Sequence, residues 1–419
     1  MTESSIQFSK AKELFPGGVN SPVRSYEPYP RYISRGEGAS IYDIDGNSYT
    51  DYCLAYGPLI LGHAHPSMKR ALAKASEIGV NFGAPTEFEI DLGTSIKNAV
   101  PAMQKMRFTS SGTEATMHAI RLARSYTGKK VIIKAEGCFH GSHDYALIKA
   151  GSGALTHGEP SSPGIPEEVA GSVGVAAFND ISSFRKVIKE KAGKVAAVIV
   201  EPVMGNAGVI LPEKGFLAEL RELTSDNDIL LIFDEVITGF RFHYGGYHTQ
   251  IDVTPDLITL GKIIGGGLPI GAFGGRADIM SYVSPEGKTY VSGTFSGNTL
   301  SMLGGIETLR VLKEANYSKL TKMTGKMCSE LSEVIGKNMQ CSVNHIGTMF
   351  QIFFNRPGVR NYPDAISSDQ KQFLRYFRFA LDSGIYMPPS TFETNFVSFA
   401  HTEKDMDRFI SMTEEFFKR

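Results

Sequence analysis

Cysteine is scarce in this sequence and forms no pattern. Cys53, Cys138, Cys328 and Cys341 include no C-x-x-C pair, so neither a disulfide framework nor a structural zinc site is signalled, no metal is expected, and a reducing, cytoplasmic setting fits best. An excess charge of either sign is also missing. The 43 Lys and Arg stand against 44 Asp and Glu, which leaves no field to attract nucleic acid or an anionic membrane surface; any anion must be bound locally. Long apolar runs are absent too. The amino terminus, MTESSIQFSKAKELFPGG, lacks the hydrophobic segment of a signal peptide, and stretches such as IIGGGLPIGAFGG are broken by glycine, so a soluble, untargeted chain without a membrane partner is expected. No period of about 20–50 residues repeats and no segment is of low complexity, which sets solenoids and linker arrays aside.

What is present is the composition of an ordinary globular protein, 42% hydrophobic and 21% charged over 419 residues, a length that predicts two or three domains. Residues 1–56 are rich in Pro and Gly with short strand-like pieces, among them ASIYDIDGNSYTDY with a hairpin turn at Asp45 and Gly46, and read as an N-terminal arm or small lobe. Over 57–305, the apolar runs VIIKA, VGVAAF, VAAVIVEP, ILLIFDE and PDLITLGK alternate with helical stretches such as KGFLAELRELTSDND. Near-continuous Val, Ile and Leu suit strands buried on both faces, so an α/β domain is expected, with a mostly parallel central sheet covered by helices and ligands at the carboxyl ends of its strands. Residues 306–419 predict a smaller α+β lobe, with helices over Leu320 to Met339, Ser368 to Ser383 and Glu403 to Phe417 and strands in HIGTMFQIFF and NFVSFAH. The stretch from Ser142 to Gly171, including KAGSGALTHGEPSSPGIPEEVAG, reads as neither helix nor strand. Its length exceeds what compact domains usually tolerate, so it is expected to be a lid or simply disordered.

Three elements carry chemistry. ILLIFDE places Asp234 and Glu235 at the end of a buried strand, where a carboxylate must meet a cation or donors. Magnesium in an NTPase would serve, but the nearest approach to G-x-x-x-x-G-K-[ST], at Gly287, Lys288 and Thr289, has Tyr282 in the first glycine position. The protonated nitrogen of a pyridine cofactor is the other candidate partner for Asp234. Lys262 follows the next apolar strand and precedes a glycine-rich run; lysine is usually exposed, but an amine here would be partly desolvated and inclined toward the neutral form that condenses with an aldehyde. Ser111, Gly112 and Thr113 lead from a strand into an amphipathic helix, where amides, the helix dipole and two hydroxyls can hold a phosphate, the alternative being a helix cap by Thr113 alone. Phe139, in GCFHG, could stack on an aromatic ring, and the neighbouring His140 is more often structural.

These residues sit in a series of motifs: FPGGVNSPVR, GPLILGHAHP, SSGTEATMHAIRLAR, EGCFHG, KAGSGALT, IVEPVMGN, DEVITGFR, LGKIIGGGLPIGAFGGR and GTFSGN. In content and order the series resembles the class-III, fold-type-I pyridoxal-phosphate enzymes over nearly the whole chain, and within them the branch that moves an amino group inside one substrate. The resemblance implies that Lys262 forms a Schiff base with pyridoxal 5'-phosphate, which alternates with pyridoxamine 5'-phosphate. It implies that Asp234 pairs with the ring nitrogen, that Ser111, Gly112 and Thr113 hold the phosphate, and that Phe139, His140, Asn206 and Val236 line the cofactor. Thr294 would reach the phosphate of a neighbouring subunit, making a homodimer with shared sites, and Ser21, Arg24, Ser152 and Glu393 would surround the substrate. Phe139 stands where the family often has Tyr, Tyr56 where Trp is usual, and Thr299 where Pro is common; stacking survives the change to Phe, whereas the hydroxyl contact does not. The activity implied is conversion of glutamate-1-semialdehyde to 5-aminolevulinate through a diamine, as in tetrapyrrole synthesis. The alternatives are a class-III ω-aminotransferase with a separate oxo-acid acceptor and a cofactor-binding protein without turnover.

Overall fold

The computed structural model of the chain describes residues 2–148 and 162–419. It opens with a helix, Glu3–Leu14, and three short strands, β1 (Ile33–Glu37), β2 (Ser40–Asp43) and β3 (Ser48–Asp51). The turn expected at Asp45 and Gly46 joins β2 to β3. Asp43 ties it, its Oδ1 accepting from the amides of Asp45 at 3.0 Å and Asn47 at 2.8 Å, the local bonding for which aspartate is favoured in turns.

Seven strands build the central sheet: β4 (Lys105–Thr109), β5 (Val131–Ala135), β6 (Val173–Ala176), β7 (Val195–Val200), β8 (Leu230–Asp234), β9 (Leu257–Gly261) and β10 (Gly271–Gly275). Their order is β4-β10-β9-β8-β7-β5-β6. From β9 to β6 every pairing is parallel, and only β10 runs against both its neighbours. β5, β7, β8 and β9 are buried at every position, so both faces need apolar side chains and no alternation is seen in the sequence. The architecture is therefore the mostly parallel α/β sheet that the alternating runs predicted.

β10 lies in the glycine-rich run that follows Lys262, which was not expected to be a strand. GAFGG is poor strand material by propensity, and it pairs because it is confined between β4 and β9. The confinement also explains its glycines, since a Cβ on Gly271 would stand 2.1 Å from the Ser111 carbonyl oxygen. Gly271 thus sets the distance between the sheet and the helix start at Ser111. Gly271→Ala is expected to lower stability by about 1–3 kcal/mol through overpacking and to weaken cofactor binding, measured by thermal unfolding and by titration with pyridoxal phosphate; wild-type values in both would reject this account.

The C-terminal part contains β11 (Cys341–Ile346), β12 (Met349–Phe354), β13 (Ile385–Tyr386) and β14 (Asn395–Phe396). HIGTMFQIFF, expected as one strand, is split between β11 and β12 by a turn at Gly347 with φ 56. NFVSFAH is a strand only over its first two residues, after which the chain turns. The three helices expected here are Tyr317–Gly336, Gln370–Asp382 and Glu403–Lys418. Their starts are set by Asn316, Asp369 and Thr402, whose side chains accept backbone amides, as N-caps do. β13 pairs in parallel with β3, and Ile41, Tyr49 and Tyr52 share one core with Phe350, Phe377 and Phe409.

The stretch from Ser142 to Gly171 was expected to be free of helix and strand. Its described ends instead form two short helices, Asp144–Leu147 and Glu167–Gly171. The first is anchored by the buried Lys134 of β5, whose Nζ donates to the carbonyls of Ala146 and Ile148 at 2.9 Å each. The middle of the expected lid, residues 149–161, lies outside the described residues. Among the described residues no helix is long and apolar enough to cross a membrane.

Candidate active site

β8 and β9 end side by side, with Asp234 opposite Thr259. A carboxylate buried at a strand end needs donors, and Asp234 has three. Its Oδ1 accepts from Thr259 Oγ1 at 2.9 Å and from the Val236 amide at 3.1 Å, and its Oδ2 lies 2.7 Å from His140 Nδ1. With the carboxylate ionised, Nδ1 must carry the hydrogen. Burial keeps the imidazole below its ordinary pKa, outweighing the Asp234 hydrogen bond that raises it. His140 is therefore a neutral brace for Asp234, and its buried Nε2 has no partner among the described residues.

Glu235, wholly buried, is spent on structure. Its Oε1 lies 2.8 Å from His248 Nδ1, and its Oε2 accepts from the Tyr247 amide and from Thr238 Oγ1. Glu201 stands one residue beyond β7, with Oε1 accepting from the Phe139 amide and Oε2 from the Gly205 amide and Asn206 Nδ2, each at 2.9 Å. Burial first, and the Asp234 carboxylate second, push this carboxyl up to about 7. Two expected cofactor contacts, Phe139 and Asn206, are thereby tied together by one side chain.

Lys262 follows β9 directly, in the left-handed region at φ 46. Its Nζ donates to the Tyr56 carbonyl at 2.6 Å. Burial lowers its pKa, and the Arg241 cation lowers it further against the opposing pull of Glu393, Glu201 and Asp234. This is the direction that favours a neutral, nucleophilic amine.

On the other side of β10, Ser111 caps the helix Gly112–Thr127, its Oγ accepting from the Glu114 amide at 3.2 Å, while Glu114 Oε2 accepts from the Ser110 amide at 2.9 Å. The amides of Gly112 and Thr113 take no protein acceptor among the described residues. Thr113 Oγ1 accepts from the Ser142 amide at 3.3 Å, so both hydroxyls keep a hydrogen to donate. Val236 fills the space between this helix and β9: a Cβ on Gly112 would lie 3.0 Å, and one on Gly261 3.2 Å, from its Cγ1.

The substrate-side candidates are more scattered. Glu393 is buried and acts electrostatically on Lys262 and on Tyr56, and Arg24, exposed in the short turn Pro22–Arg24, acts on the same Tyr56 hydroxyl. That hydroxyl donates to the Val23 carbonyl at 2.7 Å, fixing the segment that carries Ser21 and Arg24. Thr294 is exposed; its carbonyl accepts from Asn81 Nδ2 at 3.2 Å and it makes no hydrogen bond to another candidate among the described residues. Ser152 lies outside the described residues. The sequence reading missed Glu201, Thr259 and Arg241. A signal for the first was available, since VAAVIVE ends an apolar strand in a carboxylate just as ILLIFDE does.

The residues present fit a pyridoxal-phosphate group on three counts. A helix start offers free amides and hydroxyls for a dianion, a braced carboxylate stands at one strand end for the ring nitrogen, and a lysine with a depressed pKa stands at the next.

Comparison with known proteins agrees. The model of the family "Aminotransferase class-III" matches residues 22–410. A glutamate-1-semialdehyde 2,1-aminomutase of Thermoplasma acidophilum is 52% identical over 404 residues, covering 96% of each chain. Among solved structures, an omega-transaminase from Sphaerobacter thermophilus is similar at a TM-score of 0.93 and 34% identity, covering 100% of this chain and 97% of the other. A glutamate-1-semialdehyde-aminomutase from Pseudomonas aeruginosa in complex with PMP reaches 0.88 at 23% identity, covering 99% and 94%, a likeness of fold. Matched by the family's model over most of its length and half identical to the first of these relatives, this chain belongs to the class-III aminotransferase family.

Proposed function

We propose that this protein converts glutamate-1-semialdehyde to 5-aminolevulinate, moving an amino group within one substrate, and that it is an aminomutase of tetrapyrrole synthesis using pyridoxal 5'-phosphate and pyridoxamine 5'-phosphate. The observation that carries the reading is the meeting of Lys262 and Asp234 at adjacent strand ends, in a chain 52% identical to a named aminomutase. When bound, the cofactor supplies an exchangeable amino group and an electron-withdrawing ring.

The remaining work falls to the chain's own residues. Lys262 Nζ would hold the cofactor through its aldehyde and would serve as the proton carrier beside the reacting substrate carbons. Asp234, held by His140, Thr259 and Val236, keeps the ring nitrogen protonated. Ser111, Gly112 and Thr113 hold the phosphate at the helix start, and Phe139, His140, Asn206 and Val236 shape the ring's surroundings. Arg24 grips the substrate carboxylate, with Ser21, Ser152 and Glu393 around it.

Arginine suits that grip because its planar fork meets a carboxylate with two parallel bonds. Arg24→Lys is expected to raise KM roughly 10- to 100-fold with a smaller change in kcat, since a hydrogen bond to a charged group contributes about 1.5–3 kcal/mol. An unchanged KM would remove Arg24 from the substrate site.

We further propose a homodimer in which Thr294 completes the partner's phosphate site. The Asn81–Thr294 bond brings the exposed Val80 and Phe82 alongside the exposed Phe295, an apolar surface suited to a second copy. A sedimenting monomer with full activity would reject this. A cytoplasmic setting accords with four cysteines that are all unpaired.

The likeness to an omega-transaminase favours a second reading, in which a separate oxo-acid accepts the amino group. Incubation of the pure holoenzyme with glutamate-1-semialdehyde alone separates the two. Catalytic formation of 5-aminolevulinate is expected, and a strict need for an added acceptor would overturn the aminomutase reading.

A further inference from the structure

Arg241, in the DEVITGFR motif, is the largest wholly buried side chain among the described residues, and none of them bonds it with a carboxylate. Its Nε donates to the Ile237 carbonyl at 2.7 Å and its Nη2 to the Gly57 carbonyl at 2.6 Å, while Nη1 has no partner among the described residues. The guanidinium carbon stands 4.5 Å from the centroid of the Phe396 ring. Burial pulls its pKa down to about 9. A desolvated cation met, among the described residues, by carbonyls and a ring is an unfavourable arrangement, and such arrangements cluster where a neighbouring group must be controlled.

The carbonyl that Arg241 holds belongs to an unusual turn. Leu54, Ala55, Tyr56 and Gly57 are four consecutive residues in the left-handed region, at φ 45, 55, 63 and 114. Three of them carry a Cβ, so the surroundings must impose the turn. Asp51 Oδ1 holds its entrance by accepting the amides of Cys53 at 2.8 Å and Leu54 at 3.0 Å, and Arg241 holds its exit. Gly57 has no room for a side chain, because a Cβ there would lie 2.9 Å from Nη2. Between the two clamps, the Tyr56 carbonyl receives Lys262 Nζ.

We propose that Arg241 is a positioning residue for Lys262, acting through the left-handed turn Leu54–Gly57, whose Tyr56 carbonyl holds the lysine side chain. This rests on the reading of Lys262 as the cofactor-bearing amine. The turn fixes where Nζ waits, and the cation behind it opposes a charge on that nitrogen. Among the described residues, the strongest charge effects on Lys262 come from Arg241, which disfavours the ammonium, and from Glu393, Glu201 and Asp234, which favour it; the Cys53 thiol stands nearby. Arg241 is the only cation in this set, so its removal shifts the balance in one direction.

The test uses the full-length apoprotein and needs no turnover. Acetic anhydride acylates only neutral amines, and peptide mass spectrometry reads its rate at Lys262 across pH, with the exposed Lys326 as internal control. In Arg241→Met the Lys262 midpoint is expected to rise by roughly one unit and the rate at neutral pH to fall about tenfold, with Lys326 unchanged. Gly57→Ala, which keeps the cation but drives a methyl against Nη2, is expected to disturb the same rate and serves if Arg241→Met does not fold by near-ultraviolet circular dichroism. A wild-type rate and midpoint at Lys262 in either folded variant overturns the proposal. Borohydride mapping of the cofactor to another lysine would instead overturn the assignment of Lys262, a distinct result.

Discussion

Lys262→Ala is expected to abolish turnover while leaving the fold intact or slightly more stable. The activity loss has two sources: no covalent anchor remains for the cofactor aldehyde, and no amine remains to move protons between carbons. Positioned proton transfer alone contributes roughly 10²- to 10⁴-fold, so a fall of at least about 10³-fold in kcat is expected, even with cofactor in excess. The fold should not suffer, because among the described residues the only side-chain hydrogen bond lost is that of Nζ to the Tyr56 carbonyl and the amine removed is one whose charge burial already disfavours. Alanine tolerates φ 46 no better than lysine does, so backbone strain is unchanged. Kinetics on the holoenzyme and thermal unfolding of the apoprotein check the two halves together. Retained turnover would sink the catalytic assignment, and a collapse in stability would mean that Lys262 is a structural residue.

The second large effect belongs to Asp234→Asn. Asparagine keeps the shape and one oxygen, which can still accept from Thr259 and the Val236 amide. Its amide hydrogens, however, would meet the Nδ1–H of His140, at present 2.7 Å from an acceptor. The imidazole must then move its hydrogen to Nε2 or turn away. The negative charge opposite the ring nitrogen is also lost. Removing one partner of a buried charged pair costs about 3–5 kcal/mol, and at about 1.4 kcal/mol per decade this predicts a fall of roughly 10²- to 10⁴-fold in kcat/KM. Cofactor titration by absorbance should show weaker binding alongside it. Activity within tenfold of wild type would mean that some other group serves the ring nitrogen. Asp234→Ala should be worse in stability as well, because it leaves His140, Thr259 and the Val236 amide without their acceptor.

Much of this site was legible along the chain. Strands buried on both faces need apolar residues at every position, so VIIKA, VAAVIV, LLIFD and LITLG were visible as strands. The places where such runs end in Asp234 or run into Lys262 were visible as chemistry, since a charged group there is costly unless used. The helix start at Ser111, Gly112 and Thr113 was legible for the same local reason, short polar side chains beside free amides, although the cap is Ser111 and not Thr113. Less legible were residues whose meaning depends on a distant partner. Glu201 carried the same strand-end signal as Asp234, but its partners Phe139 and Asn206 come from two different loops. Nothing local marks GAFGG as a strand, because its glycines answer to Ser111 and Asp256 across the sheet.

The amino-acid sequence by itself determined the parallel strands β5 to β9, the helix starts and the charged groups at the strand ends, because these follow from burial period, capping and the cost of a charge at an apolar strand end, all of which act within a few residues. Only the tertiary structure decided how those groups are held. His140 meets Asp234 across 94 residues, Arg241 reaches Gly57 across 184, and the Tyr56 carbonyl reaches Lys262 across 206. The reason is physical: backbone hydrogen bonds and hydrophobic period are local properties of a chain, whereas the orientation of a lysine amine and the tautomer of a buried imidazole depend on acceptors that folding alone brings within 3 Å.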